Sequence, residues 1–211
     1  MTQLDQLGLI KNSFPTFVLA SNSAARQSML RNAGLRFSVQ ASNVDEAAIK
    51  QSLLILDQTA ANLAGVLAEA KAREVSKNAT DAWVIGGDQV LLCEGAYFDK
   101  AVDLAAAKST LQRLGGRCHE LHAAVCLVRD EKVMWQHTSV ARMWMRPLSD
   151  AFIEAYLDLV GAAVLGSVGC YHIEGRGVQL FERIEGDYFT IMGLPLLPLL
   201  NYLHGQKLVF L

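Results

Sequence analysis

The stretch Trp83–Leu92, "WVIGGDQVLL", decides the fold. Trp83, Val84 and Ile85 run into two glycines, and Val90, Leu91 and Leu92 follow. A run this apolar is expected to be a strand buried on both faces. Asp88 and Gln89 interrupt it. A carboxylate that leaves water loses several kcal/mol of solvation unless a partner offsets the loss. The strand therefore has to meet a cation, a metal or a ligand at Asp88.

Working outward from this strand, "FVLAS" (Phe17–Ser21) is expected to be a first buried strand, and "RQSMLRNAG" a helix ending at Gly34. "FSVQAS" (Phe37–Ser42) alternates like a second strand. Asp45 and Glu46 open a helical stretch, where carboxylates suit the helix dipole. Gln58–Asn78 is expected to be a long helix, in which Leu63, Leu67 and Lys71 fall at i, i+4 and i+8, so Lys71 continues the apolar stripe. After the central strand, "CEGAYFDK" makes a turn and a short extended piece, and "DLAAAKSTLQRLGG" a helix closed by Gly115 and Gly116. Two long strands, Arg117–Arg129 and Val133–Met145, flank the polar turn at Asp130, Glu131 and Lys132. "SDAFIEAYLDLV" has a serine N-cap and a helical period. The tail is glycine-rich and ends in a helix entered through Pro195. Helices alternate with strands, but a long hairpin lies in the middle. That favours an α/β fold with a mixed sheet over a purely parallel one. No linker or repeat is visible, so one domain is expected, and any two lobes would share the sheet.

The chain has 211 residues, is 52% hydrophobic and 19% charged, and carries a net charge of −2. A sizeable core is expected, and no general electrostatic reason to bind nucleic acid exists. Cys93, Cys118, Cys126 and Cys170 show no C-x-x-C pair, which fits reduced thiols in a cytoplasmic protein. The start, "MTQLDQLGLIKNSF", has no basic region and carries Asp5, unlike a signal peptide. No apolar run is long enough to span a membrane.

No phosphate-binding glycine loop, dinucleotide fingerprint, H-E-x-x-H or nucleophile elbow occurs. What remains are charges at element junctions: Arg26, Glu46, Lys71, Asp88 and Lys100. Such a set suits a polyphosphate with a divalent metal, because cations balance phosphate charge and carboxylates hold the metal or take a proton from water. The turn after the first strand adds a helix N-terminus, a natural anion site. Plainer readings stand beside these. Lys71 could snorkel, Glu46 could serve only the helix dipole, and Arg26 could make a surface salt bridge. For His119, His122 and His172 a structural role is the default, since their spacing suits no metal.

Several stretches together resemble the Maf family of nucleoside triphosphate pyrophosphatases. They are "LASNSAARQSML", "VDE", "LAEAKA", "VIGGDQV", "FDK", "GGRCH" and "GCYHIEGRGVQLFERIEGDYFTIMGLPLLPL", in family order from about Phe17 to Leu203. The resemblance implies an inosine-triphosphatase-like fold, an elongated mixed sheet with helices on both sides and a cleft between two lobes. It implies hydrolysis between the α and β phosphates to a monophosphate and pyrophosphate. Asp88 matches the catalytic position that activates water. Ser23, Arg26, Lys71 and Lys100 match triphosphate positions, Gln89 follows the catalytic position on the substrate side, and Glu174 matches a position near the nucleotide. Glu46, with Asp88, matches the acidic site of a divalent cation, Mg²⁺ or Mn²⁺. A homodimer is also implied.

The chain departs from the pattern in places. Ala24 and Ala25 replace the usual Pro-Arg, "GAAVLGSVG" replaces a stretch with a Glu and a Lys, and Asp99 and Ala101 replace a Gly and a Pro. These losses leave open an alternative, a nucleotide-binding regulator of cell division or septum formation with little turnover. Gln89 and Glu174 instead resemble the branch that prefers 7-methyl-GTP over dTTP and UTP, although the aromatic residue of that branch is absent at Ala25.

Overall fold

The computed structural model describes residues 15–55 and 59–209. The start of the chain, and Gln58 at the head of the long helix, lie outside the described residues. One seven-stranded sheet organises the chain, with the order β2-β1-β3-β5-β6-β7 and β4 added to β3. The strands are β1 (Phe17–Leu19), β2 (Ser38–Val39), β3 (Trp83–Cys93), β4 (Ala96–Phe98), β5 (Cys118–Arg129), β6 (Lys132–Met145) and β7 (Phe181–Glu185). β1 runs parallel to both β2 and β3, whereas β3, β5, β6 and β7 pair antiparallel. The sheet is mixed, as the central hairpin led one to expect. Tight two-residue turns join β3 to β4 and β5 to β6. Their residues Glu94 and Gly95, and Asp130 and Glu131, all have positive φ, the twist that hairpins favour.

The helices are α1 (Ala24–Asn32), α2 (Glu46–Ile55), α3 (Ala60–Ser76), α4 (Leu104–Leu114), α5 (Asp150–Val160), α6 (Tyr188–Ile191) and α7 (Leu196–Gly205). Side chains alternate along a strand, and the cores follow that alternation. Val84, Val90, Ala124 and Cys126 pack with Leu63, Leu67 and Ala68 of α3. Ile85, Val125 and Leu127 point the other way, toward Leu30 of α1 and Leu199 of α7. On this second face, further along the strands, Leu91, Leu121 and Met143 pack with Leu111 of α4 and Ile153 of α5. Two core clusters thus share one face of a single sheet, and a cleft runs between them.

The departures from the sequence reading are local. The expected strand Phe37–Ser42 shortens to Ser38–Val39, both exposed, because it has no core face to bury. α1 starts at Ala24, earlier than expected, because the Ser23 hydroxyl caps it by accepting from the Arg26 amide. The glycine-rich tail hides two 3₁₀ turns (Gly161–Gly166 and Arg176–Leu180), β7 and α6. β7 reads as charged because four of its five residues are exposed and it pairs only at the sheet margin.

Candidate active site

The cleft exists because β3 is incompletely paired along one edge. β5 bonds to it from Val84 to Leu92. On the opposite edge β1 covers only Trp83–Ile85 and β4 only Leu91–Cys93. Gly86–Val90 lies in the gap, and from it Asp88 and Gln89 line the floor of a cavity of about 1310 Å³. Through this gap the strand reaches ligand space with residues of both faces.

The two glycines have separate reasons. A Cβ on Gly86 would stand 2.1 Å from the Ala68 carbonyl oxygen, so only glycine lets α3 approach the strand here. A Cβ on Gly87 would meet Arg26 Nε at 3.2 Å, on the opposite face.

Asp88 points toward α3. It is buried and accepts a 2.6 Å bond from Lys71 Nζ. Glu46, at the head of α2, reaches the same ammonium at 2.8 Å. Lys71 is itself buried, one turn beyond Leu67, as the apolar stripe requires. It does not snorkel; it lies between two carboxylates. Glu46, beyond serving the helix dipole, faces this centre. Lys71 and Asp88 are mostly out of water and hold one another strongly, and removing the cation would leave the buried carboxylate uncompensated.

Arg26 lies on the other side of the strand. Its Nε donates to the Gly193 carbonyl at 2.8 Å, and its Nη1 to the Ser21 hydroxyl at 3.1 Å. Burial pulls its guanidinium below the ordinary arginine value, and the fields of Asp88 and Glu46 pull it back. It is a half-buried cation of the cleft wall, not a surface ion-pair partner. Gln89 points to this side too. Its amide nitrogen donates to the carbonyls of Thr190 and Ile191, both at 3.0 Å, which ties the cleft wall of α6 to the strand. Ser23 lines the cleft at the N-terminus of α1. Lys100 and Glu174 line its mouth from exposed loops. The structure therefore gathers every candidate residue of the sequence reading along one cavity.

The sequence reading passed over other lining residues. Tyr188 and Phe189 of α6, with Leu197 of α7, give the wall an apolar, aromatic surface. Lys50 also lines the cleft, and its only sequence signal was helical spacing, one turn beyond Glu46. Ala163, Gly166 and Val168, from the stretch that lacks the usual Glu and Lys, make an uncharged part of the wall. Among the histidines, His119 is fully buried and bonds the Tyr171 hydroxyl at 2.7 Å. Burial pulls its pKa down to about 4, so it stays neutral near pH 7. His122 bonds Glu120 at 2.9 Å, while His172 lines the cleft.

A divalent cation fits this donor set. The Lys71 ammonium shows that Glu46 and Asp88 converge on one positive charge. Among the described residues no group of three His, Cys, Asp or Glu side chains forms a self-contained metal site. Two carboxylates, with the remaining positions filled by substrate phosphates and water, are the usual terms on which Mg²⁺ is bound.

Comparison with known proteins bears on what this cleft does. A family model described as Maf-like protein matches residues 16–206. The 7-methyl-GTP pyrophosphatase of Rhizobium meliloti (strain 1021) is 49% identical over 189 residues, 90% of this chain and 95% of that protein. The nucleoside triphosphate pyrophosphatase of Nitrobacter winogradskyi is 50% identical over 194 residues, 92% of this chain and 95% of that protein. A crystal structure of a nucleoside-triphosphatase / dITP/XTP pyrophosphatase from Mycobacterium abscessus matches over 89% of this chain and 97% of that one. It does so at 14% identity and a TM-score of 0.39, too distant to carry an argument.

Proposed function

The chain belongs to the Maf-like protein family, and from that premise we propose that it is a nucleoside triphosphate pyrophosphatase. It hydrolyses the α–β anhydride of a nucleotide to a nucleoside monophosphate and pyrophosphate. The observation that carries this reading is the Asp88–Lys71–Glu46 centre at the cleft floor, where β3 lacks a neighbour.

In this mechanism the triphosphate lies along the floor with Arg26, Lys71 and Lys100 facing its charge. Phosphate oxygens compete with Asp88 for the Lys71 ammonium, and the carboxylate so released takes a proton from an attacking water. The water oxygen bonds to phosphorus as the α–β bridging bond breaks, and pyrophosphate leaves. General base help of this kind contributes about 10²–10⁴-fold. Glu46 and Asp88 are the residues that would hold Mg²⁺ or Mn²⁺. A bound divalent ion supplies further neutralisation of phosphate charge. No covalent nucleophile is needed.

Glu174 supports a purine with added positive charge. An ionised carboxylate only accepts hydrogen bonds. Guanine offers N1–H and an exocyclic amine on one edge, and N7-methylation adds charge that a carboxylate favours. Thymine and uracil place acceptors on both sides of their single N–H. We therefore rank 7-methyl-GTP above dTTP and UTP. The regulator alternative rested on the lost arginine and the lost Glu/Lys pair; the intact charge centre favours turnover. Among the described residues no helix is long and apolar enough to cross a membrane. The four free cysteines support a cytoplasmic setting, and a homodimer belongs to the same proposal.

The test is pyrophosphate release from 7-methyl-GTP, GTP, dTTP and UTP, with and without a chelator. Monophosphate plus pyrophosphate is the expected product pair, with 7-methyl-GTP fastest and activity lost in the chelator. Diphosphate plus phosphate as products, or full activity in excess chelator, contradicts the mechanism. Faster turnover of dTTP and UTP overturns the base assignment alone.

A further inference from the structure

Lys50 has no place in the mechanism above, yet it lines the same cleft. It stands one helical turn after Glu46 on α2, so both side chains leave the same face of that helix. Glu46 reaches inward to Lys71, whereas Lys50 reaches across the mouth to Asp99, at 2.5 Å. Asp99 precedes Lys100 and is itself a cleft residue. The pair straddles the boundary with solvent, since the Lys50 side chain is 29% exposed and that of Asp99 76%.

Two features suggest that this pair is temporary. First, the part of α2 that carries Lys50 is loosely held. No side chain from Glu46 to Leu53 is buried, and only Ile49 and Leu53 lean on the α3 cluster. Among the described side chains, the part of the helix that carries Glu46 and Lys50 over the cleft buries none. Second, the cleft's cations are largely committed. Lys71 lies between two carboxylates, and Arg26 has only part of its guanidinium free for phosphate, since it also donates to Gly193 and Ser21. Ala25 contributes no charge to the phosphate end. A polyphosphate entering the mouth would meet the Asp99 carboxylate, which repels it, and the Lys50 ammonium, which prefers the denser negative charge.

We propose that Lys50 is a further polyphosphate-binding residue, parked on Asp99 in the free protein and transferred to a terminal phosphate when a triphosphate enters. The inference rests on the pyrophosphatase reading for its substrate class. It makes the two members of one ion pair act in opposite directions. Lys50 adds to phosphate binding, while Asp99 competes with phosphate for Lys50. An ion pair that merely fastened α2 to the loop would make both removals harmful or both neutral, the usual outcome for exposed pairs.

The experiment measures calorimetric affinity for inorganic tripolyphosphate, and KM for the best triphosphate, in the wild type and three variants. Lys50→Met is expected to weaken binding about 10-fold, the loss of one charge-assisted contact. Asp99→Asn is expected to tighten it a few-fold. In the Lys50→Met background Asp99→Asn is expected to tighten binding less than in the wild type, because only its direct repulsion is removed and no lysine remains to be freed. An affinity within twofold of wild type in Lys50→Met overturns the inference. So does unchanged or weaker binding in Asp99→Asn, and so does equal tightening with and without Lys50. A wild type that releases no pyrophosphate from any nucleotide defeats the proposed activity, while the tripolyphosphate affinities still decide the role of Lys50.

Discussion

The two faces of the sheet treat polar residues differently at its centre. On the face covered by α3, β3 and β5 carry Asp88, Glu120 and His122, all in charge-capable contacts. Burial pushes Glu120 up, but hydrogen bonds from Arg142 and His122 outweigh it and hold that carboxylate below its usual range. On the opposite face the same two strands carry Gln89 and His119. Gln89 is spent on two backbone carbonyls, and His119 is a neutral ring against Tyr171. Asp88 and Gln89 are neighbours in sequence, yet their partners differ in kind. The Lys71 ammonium can be won by a phosphate; the carbonyls of Thr190 and Ile191 cannot be exchanged without moving the wall. Exchangeable partners suit chemistry, and fixed ones suit shape.

The sharpest way to break this contrast is at Asp88. Asp88→Asn keeps the side-chain shape and leaves Lys71 with Glu46, so the fold should survive while kcat falls at least about 100-fold. A variant retaining more than about a tenth of wild-type kcat would remove Asp88 from the role of base. Lys71→Met provides the complement. It leaves Asp88 buried without its cation, so lost activity should come with a lower urea midpoint, a cost of about 3–5 kcal/mol. If Lys71→Met and Asp88→Asn unfold at the same urea concentration as the wild type, the charge pair is not a structural element of that face.

Much of this arrangement was legible in the sequence. Asp88 stood out because an acid inside an apolar run needs a reason, and Lys71 because it fell on the stripe of Leu63 and Leu67. The mixed sheet followed from a hairpin set among helices. What sequence could not supply were contacts between distant segments. Arg26 meets Gly193 across 167 positions, and Gln89 meets Thr190 across 101. No periodicity or cap announces such bonds; the resemblance placed Gln89 on the substrate side, and the structure adds its two bonds to the α6 carbonyls. β7 escaped notice for a related reason: its exposed residues give no apolar alternation, and only its pairing with β6 makes it a strand.

His119 tests whether the opposite face is neutral by necessity. Its pKa of about 4 in the folded chain lies below the ordinary histidine value of 6.5. The unfolded chain therefore takes up a proton that the folded chain refuses, so stability is intact above about pH 6.5 and declines as pH falls toward 4. The full loss is of order 3 kcal/mol. Urea unfolding at pH 7 and pH 4.5 should show this decline in the wild type and a shallower one in His119→Gln. Parallel declines would mean that the acid sensitivity arises elsewhere.

The smallest effect is expected at Gln89, and it sharpens the comparison most. Gln89→Met keeps the length of the side chain and removes its amide. The carbonyls of Thr190 and Ile191 then lose their bonds from the strand, while the turn's own backbone bonds and the Arg26 bond to Gly193 remain. Each neutral hydrogen bond contributes about 1 kcal/mol, and water in the cleft can replace part of it, so a stability loss of about 1 kcal/mol is expected. The wall carries Tyr188 and Phe189, so its loosening should raise KM a few-fold while kcat changes by less than about twofold. A residue that touches substrate directly would give a similar KM, so the deciding measurement is made without nucleotide. Amide hydrogen exchange across residues 188–194 should speed up in the free Gln89→Met protein, because a fixed partner has been taken from the wall. Unchanged exchange there, with a raised KM, would return Gln89 to the substrate side and erase the distinction between the two faces of β3.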